Sequence, residues 1–192
     1  IAQNRVQYLN KHKNSDLFLH LAKTVSGQQL SKKAASTIWG RILAMAERES
    51  VTLYNLCIPS AAASLRSCGL SRFKVKAIIE MREAFECGAI STDKLQSEDT
   101  SLIIGEITKL WGFGRWSADM TALFFFASPD VWSSEDAALR RGICLLSQYE
   151  ACEEREILEA ATPFKSYLAL HIWSGLDSGR LQNRSEEHTS EL

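Results

Sequence analysis

The sequence predicts an all-α protein, and two observations lead to that fold class. Apolar residues recur at the three- and four-residue spacing of a helix face over most of the chain, and capping residues or glycines bound these segments. No alternating pattern typical of a strand runs for four convincing residues, and the sequence has no glycine-rich nucleotide loop. We therefore expect helices joined by turns throughout.

Four helices are predicted in the first half of the chain. Each begins at a side chain that can accept hydrogen bonds from the first N–H groups, and these residues are Asp16, Ser31, Ser60 and Ser71. The helical pattern stops close to three glycines, namely Gly27, Gly69 and Gly88. On the second helix, one face carries Ala35, Ile38, Ile42 and Met45.

Five helices are predicted in the second half. Their approximate bounds are 100–110, 115–127, 136–147, 153–161 and 163–173. Pro163 suits the first position of the last helix, where a missing N–H removes no hydrogen bond. The turn at 111–114 and the helix start at residue 136 carry the residues most suited to chemistry.

Length and composition are those of an ordinary globular protein. The chain has 192 residues, 45% of them hydrophobic and 23% charged, so we expect one domain over residues 1–183, in two helical lobes. The formal net charge of −1 gives no overall basic footprint, so any nucleic-acid binding depends on local charge. The longest apolar run, Leu123 to Ala127, is too short to span a bilayer, and no basic, apolar leader opens the chain. We expect neither a membrane protein nor a secreted one.

Residues 184–192 differ from the rest of the chain. They are polar, lack any apolar period and resemble the translation of a common sequencing adapter. We expect a non-native tail there and leave it out of the fold.

The cysteines predict no cofactor. They are odd in number, and none forms a CxxC pair, which argues against a zinc site or an iron–sulfur cluster. We expect reduced thiols in a cytosolic compartment.

The stretch from Leu110 to Asp119 predicts a helix, a two-glycine turn and a second helix. Gly112 and Gly114 allow a tight turn that presents backbone N–H groups, and the helix after it adds the positive end of its dipole. Such a turn suits a phosphate group. The alternative is a plain helical hairpin whose glycines only end one helix.

Asp136 is predicted at the N-terminus of a helix, after Ser133, Ser134 and Glu135. The helix dipole favours the charged form of a carboxylate at that position. Its alternative role is to stabilise the helix alone, by about 0.3–1 kcal/mol.

Five blocks of sequence then occur in a fixed order. They are Gly27-Gln-Gln-Leu-Ser31 with Ala34-Ala35, Cys68-Gly-Leu-Ser-Arg-Phe-Lys-Val-Lys-Ala77, Leu110-Trp-Gly-Phe-Gly-Arg-Trp-Ser-Ala-Asp119, Asp130-Val-Trp-Ser-Ser-Glu-Asp-Ala-Ala-Leu-Arg-Arg-Gly142 and Pro163-Phe-Lys-Ser-Tyr-Leu-Ala-Leu-His-Ile-Trp173. Over about residues 6–180 this order resembles the helix–hairpin–helix (HhH-GPD) superfamily of DNA glycosylases, in its 3-methyladenine DNA glycosylase II (AlkA-like) branch.

The resemblance implies a DNA repair enzyme with two helical lobes and an active-site cleft between them. It implies a monomer that acts on damaged bases in double-stranded DNA without a cofactor, in the cytoplasm of a bacterial cell at the nucleoid. Asp136 matches the catalytic aspartate, which stabilises an oxocarbenium-like transition state and orients water. Trp116 stands where strand-cutting relatives have a lysine, so the resemblance implies a monofunctional enzyme.

The resemblance also implies the residues that surround the base and the DNA. The base pocket is formed by Trp116, Trp173 and Met120, although both tryptophans could instead belong to the core. The DNA contacts are Gly112, Phe113, Gly114, Arg115, Ser117, Gln28, Gln29 and Lys74, with Gln29 as the wedge that enters the duplex. A monovalent cation is a candidate ligand of the 112–114 turn. Two positions depart from the family pattern, with Trp111 in place of proline and Met120 in place of an aromatic residue.

Two alternative functions remain open at the level of sequence. The chain could be a glycosylase for another lesion, such as hypoxanthine or an oxidised purine. It could also be a DNA-binding module without catalysis, in which Asp136 is only a helix acid.

Overall fold

The computed structural model describes residue 9 and residues 16–96 and 99–182. Within those residues the secondary structure is helical, with no strand, which confirms the predicted fold class. The predicted tail at 184–192 lies outside the described residues. None of the helices described is long and apolar enough to cross a membrane.

The described residues contain eleven α-helices. In chain order they are α1 (Leu17–Gly27), α2 (Lys32–Arg48), α3 (Leu53–Leu56), α4 (Ala62–Ser67), α5 (Arg72–Glu86), α6 (Thr92–Gln96), α7 (Thr100–Thr108), α8 (Arg115–Phe124), α9 (Ala137–Glu150), α10 (Glu154–Ala160) and α11 (Lys165–Asp177). A single 3₁₀ turn, Pro59–Ala61, precedes α4.

Several helix starts follow from the capping residues in the sequence. Asp16 Oδ1 accepts the Phe18 N–H at 2.8 Å, and Ser31 and Ser71 each cap through Oγ in the same way. Gly88 ends α5 in the left-handed conformation, at φ 72°. These starts and stops depend on neighbours a few positions away in the chain, so the sequence was sufficient to predict them.

Three details of the helix prediction were wrong or incomplete. Ser60 lies inside the 3₁₀ turn instead of capping a helix. The short helices α3 and α6 were not predicted. Pro163 does not begin the last helix, because Phe164 has a non-helical conformation and α11 begins at Lys165. The first N–H groups of α11 are bound by the segment between α8 and α9: the Lys165 N–H donates to Asp130 Oδ1 at 3.2 Å and the Ser166 N–H to the Pro129 carbonyl at 3.0 Å.

The described residues form two compact units, of which the first covers residues 16–126. Its central helix is α1, which packs against α2, α5 and α8. Leu17, Leu21 and Val25 on α1 are completely buried. The pair α7 and α8 forms the two arms of the glycine hairpin, so that hairpin is anchored in the core of this unit.

The second unit covers residues 127–182 together with residue 9. Its main contact joins α9 to α11, and α10 packs on α9. Gly142 of α9 allows the close approach, because a Cβ atom there would overlap the Ile172 side chain of α11. This packing brings the start of α9 beside the middle of α11.

Candidate functional site

The carboxylate of Asp136 is the N-cap of α9. Its Oδ1 atom accepts the Leu139 N–H at 2.9 Å, which satisfies one of the first N–H groups of the helix, which have no intrahelical acceptor. The same Oδ1 accepts the indole Nε1–H of Trp173 at 3.2 Å. Asp136 is half-buried, so its carboxylate is held firmly while part of the residue stays accessible.

Trp173 therefore makes a hydrogen bond that the sequence did not reveal. The indole is half-buried and lies on α11, one residue after the Ile172 contact with Gly142. Its N–H edge is oriented by a charged acceptor, and hydrogen bonds to charged groups contribute about 1.5–3 kcal/mol. The tryptophan is thus part of the carboxylate's surroundings, whether or not its ring face also contacts a base.

The two hairpin glycines are required for different reasons. Gly112 has a left-handed backbone, at φ 84°, and a Cβ atom there would lie 2.7 Å from Ala77 Cβ. Gly114 is the N-cap of α8 with an extended backbone and no side-chain cap, and a Cβ atom there would meet nothing within 4 Å. Gly112 therefore lets the hairpin pack on α5, while Gly114 keeps its outer surface open.

Phe113 and Ser117 contribute their side chains to the protein interior and not to a DNA-facing surface. Phe113 is 4% exposed and Ser117 is 1% exposed. Ser117 Oγ accepts the side-chain amide of Gln28 at 2.8 Å. At these two positions only the backbone can face an outside partner. The N–H groups in the first turn of α8 have no acceptor within the helix, as in any helix start.

Gln28 and Lys74 also make bonds within the unit, where the sequence had suggested DNA contacts. Gln28 Nε2 donates to the Gly112 carbonyl at 3.1 Å as well as to Ser117. Lys74 Nζ donates to the carbonyl oxygens of Ser26 and Gln28, at 2.9 and 2.8 Å. Desolvation by burial lowers the pKa of Lys74. Gln29, between these anchored groups and α2, is exposed and has a left-handed backbone at φ 56°.

Arg115 is positioned by a buried acid, Asp119, for which the sequence predicted no role. Its Nε atom donates to Asp119 Oδ1 at 2.7 Å; the Asp119 side chain is 1% exposed, whereas that of Arg115 is 56% exposed. The sequence does contain a signal for this ion pair, because an acid and a base four residues apart on one helix are neighbours on its surface. The guanidinium is thus held at one nitrogen and remains largely accessible to a phosphate.

Trp116 and Met120 lie one helical turn apart on α8. Trp116 is half-buried and Met120 is 6% exposed. Both belong to the unit of residues 16–126, whereas Asp136 and Trp173 belong to the unit of residues 127–182. Within its own unit each pair is close in space, and the roles of these residues in a base pocket stay predictions.

Two carbonyl groups of the hairpin each accept one hydrogen bond. The Gly112 carbonyl accepts the Gln28 amide, and the Leu110 carbonyl accepts the Phe113 N–H at 3.1 Å. Because a carbonyl oxygen has a second lone pair, the monovalent cation at the turn stays a prediction. In the part of the chain that the structure describes, no three His, Cys, Asp or Glu side chains could hold a metal ion together.

Comparison with curated proteins identifies two relatives of one kind. No protein-family model matches the chain. It is 26% identical to DNA-3-methyladenine glycosylase 1 of Schizosaccharomyces pombe over 161 residues, 80% of this chain and 69% of that protein. It is 25% identical to DNA-3-methyladenine glycosylase of Saccharomyces cerevisiae over 181 residues, 89% of this chain and 61% of that protein. The chain therefore spans about two thirds of the length of these relatives.

Comparison with solved structures gives the same class of protein. A DNA-3-methyladenine glycosidase from Bacillus halodurans is 27% identical and aligns with a TM-score of 0.72 over 88% of this chain and 78% of that one. The S. pombe 3-methyladenine DNA glycosylase in complex with abasic DNA, 22% identical, shares the fold with a TM-score of 0.67 over 88% of this chain and 85% of that one. Sequence and fold therefore agree with the resemblance of the five blocks to the helix–hairpin–helix superfamily of DNA glycosylases.

Proposed function

We propose that the protein is a monofunctional DNA-3-methyladenine glycosylase. It binds double-stranded DNA and hydrolyses the N-glycosidic bond of an alkylated purine that has been flipped out of the duplex. The observation that carries the catalytic part of the proposal is the pairing of Asp136 Oδ1 with Trp173 Nε1, 3.2 Å apart, at the N-terminus of α9. The similarity to 3-methyladenine glycosylases supports the choice of substrate.

The carboxylate acts mainly through its charge. When the bond between C1′ and the base nitrogen breaks, the base leaves with the electron pair and positive charge develops on the sugar. Asp136 stabilises that charge and orients a water molecule, whose oxygen bonds to C1′ and whose proton is released. The two donors at Oδ1 fix the carboxylate before substrate arrives, so little reorganisation is needed during the reaction.

An alkylated purine suits this site because it needs no separate acid. N-alkylation places positive charge on the base, which therefore leaves as a neutral group. The positive charge also favours a contact with an aromatic face, worth about 0.5–2 kcal/mol. Trp116 and Trp173 are both half-buried and are the candidates for that contact.

The absence of a nucleophilic amine at residue 116 supports hydrolysis without strand cleavage. A glycosylase that also cuts the strand forms a Schiff base between a lysine amine and the sugar. Trp116 cannot form that bond. The product is then an intact strand with an abasic site.

The proposal is tested by base release from methylated duplex DNA. We expect wild-type protein to release alkylated purine, and Asp136→Asn to reduce the rate by on the order of 10²-fold or more while DNA binding persists. Glu135→Gln is the matched control, because it removes the neighbouring exposed carboxylate and leaves release unchanged.

Other results would select an alternative function. Release of hypoxanthine or oxidised purines alone would indicate a glycosylase for another lesion. DNA binding without release of any base, by wild type and variant alike, would indicate a binding module.

A further inference from the structure

The turn between α1 and α2 has an unusual conformation at its exposed residue. Gln29 is left-handed at φ 56°, a conformation that costs free energy for any residue with a side chain. Such conformations persist where the surrounding structure enforces them. The two residues before Gln29 therefore need an anchor.

One part of the anchor is the side chain of Gln28. Its amide reaches across to the glycine hairpin, 84 positions away in the chain, and donates to the Gly112 carbonyl. It also donates to Ser117 Oγ, at the start of α8. A single side chain thus connects the turn to both halves of the hairpin.

The other part is the ammonium group of Lys74. It donates to the Ser26 and Gln28 carbonyl oxygens at the C-terminal end of α1. The last carbonyl groups of a helix have no intrahelical donor, and the helix dipole favours a cation there. Lys74 stands at the start of α5, whose Ala77 packs under Gly112. The Lys74 contacts and the Gln28 contacts therefore hold the same turn against the same hairpin.

We propose that Gln28 and Lys74 are positioning residues that hold Gln29 at a fixed distance from the glycine hairpin. The wedge residue Gln29 and the phosphate-binding hairpin then move together as one rigid body. The inference rests on the proposed function, since a wedge matters only where a base leaves the duplex. Extruding a paired base requires unpairing and unstacking, and an inserted side chain offsets that loss. A fixed offset places the wedge at the vacated position as soon as the hairpin holds the backbone.

The first experiment measures whether Gln28 acts through Gln29. Single-turnover release of one N-methylated purine is compared for Gln28→Met, Gln29→Ala and the double variant, with the lesion either paired in a duplex or unpaired in a bulge. Gln28→Met keeps the length of the side chain and removes its donors. Gln148→Ala, an exposed glutamine on α9, is the control.

We expect each single variant to slow release from the paired duplex by about 10-fold, the loss of one hydrogen-bonded contact in the extruded state. The double variant is then no slower than Gln29→Ala, because residues that act through one another are not additive. Release from the bulge changes less than about 2-fold, since an unpaired base needs little extrusion. Multiplying effects in the double variant, or equal losses on both substrates, would overturn the inference.

The second experiment measures whether Lys74 contacts DNA phosphate. A phosphate contact contributes about 0.9 to the slope of log affinity against log salt concentration. We expect Lys74→Met to leave that slope as it is in wild type and to slow release from the paired duplex only, whereas Arg115→Ala lowers the slope by about 0.9. A lowered slope in Lys74→Met would overturn the positioning role.

Failure of the proposed function gives a different pattern. If wild-type protein releases no methylated purine from either the duplex or the bulge, the glycosylase proposal fails, and with it the role of Gln29 in base extrusion. If wild-type protein is active and Gln28→Met matches it on the paired duplex, only the positioning role fails.

Discussion

Gly142 on α9 lies against Ile172 on α11 so closely that no side chain could fit between them. The residue after Ile172 is Trp173, whose indole N–H binds the Asp136 carboxylate at the start of α9. The contact between the two helices therefore sets the geometry of the candidate catalytic group. A residue with no chemical role of its own thus lies at the contact between the two helices that hold the candidate catalytic acid.

Replacing this glycine should affect both stability and activity. Gly142→Ala is expected to lower the free energy of unfolding by about 1–3 kcal/mol, because the added methyl group overlaps Ile172. Base release should fall as α9 and α11 separate. Chemical denaturation and a release assay measure the two effects. Gly105→Ala on α7 is the control, and it should raise stability by about 0.5–1 kcal/mol, since nothing lies within 4 Å of its Cβ position.

Trp173→Phe separates an aromatic face from a hydrogen-bond donor. The variant keeps a ring but loses the Nε1–H bond to Asp136, so kcat should fall roughly 10- to 100-fold, the equivalent of about 1.5–3 kcal/mol. KM should change little if the ring still contacts the base. Steady-state kinetics on methylated DNA measure both constants, with Trp39→Phe on α2 as control. An unchanged kcat would show that the donor does not position the carboxylate.

The two hairpin glycines should give different phenotypes. Gly112→Ala is expected to destabilise the fold, because it combines a left-handed backbone with an overlap onto Ala77. Gly114→Leu should fold, since there is open space around its Cβ position, but should weaken DNA affinity for all sequences. Thermal unfolding and binding to damaged and undamaged duplexes test the pair. A loss of affinity confined to damaged DNA would contradict a backbone grip at Gly114.

Gln29→Gly should raise the stability of the protein and lower its activity. Glycine adopts the left-handed conformation without strain, so the free energy of unfolding should rise by about 0.5–1 kcal/mol. Release from a paired duplex should nevertheless fall, because the wedge side chain is gone. A denaturation curve and a release assay on the same preparation decide this. Reduced stability would mean that the Gln29 side chain is held by contacts and is not strained.

Trp116→Lys should not create a strand-cutting enzyme. A Schiff base requires an amine directed at the sugar in a site that also supports the later elimination, and one substitution supplies only the amine. Borohydride trapping of the variant on damaged DNA measures covalent capture. Efficient trapping would show that the surroundings of residue 116 already support lyase chemistry.

The sequence by itself determined the features that depend on near neighbours in the chain. Asp16, Ser31 and Ser71 cap helices through hydrogen bonds to N–H groups two or three positions away. The two glycines of the hairpin predict a turn. The position of Asp136 at a helix start follows from the same local rules. Periodicity of the apolar residues was sufficient for the all-α fold, because helix formation depends on residues three and four apart.

Only the tertiary structure decided what those elements do for one another. Gln28 binds a carbonyl 84 positions away, and Trp173 binds an acid 37 positions away. The resemblance implied a DNA contact for Lys74, but folding places its ammonium group at the end of α1. No local pattern encodes such bonds, since they exist only where packing has already brought distant segments together.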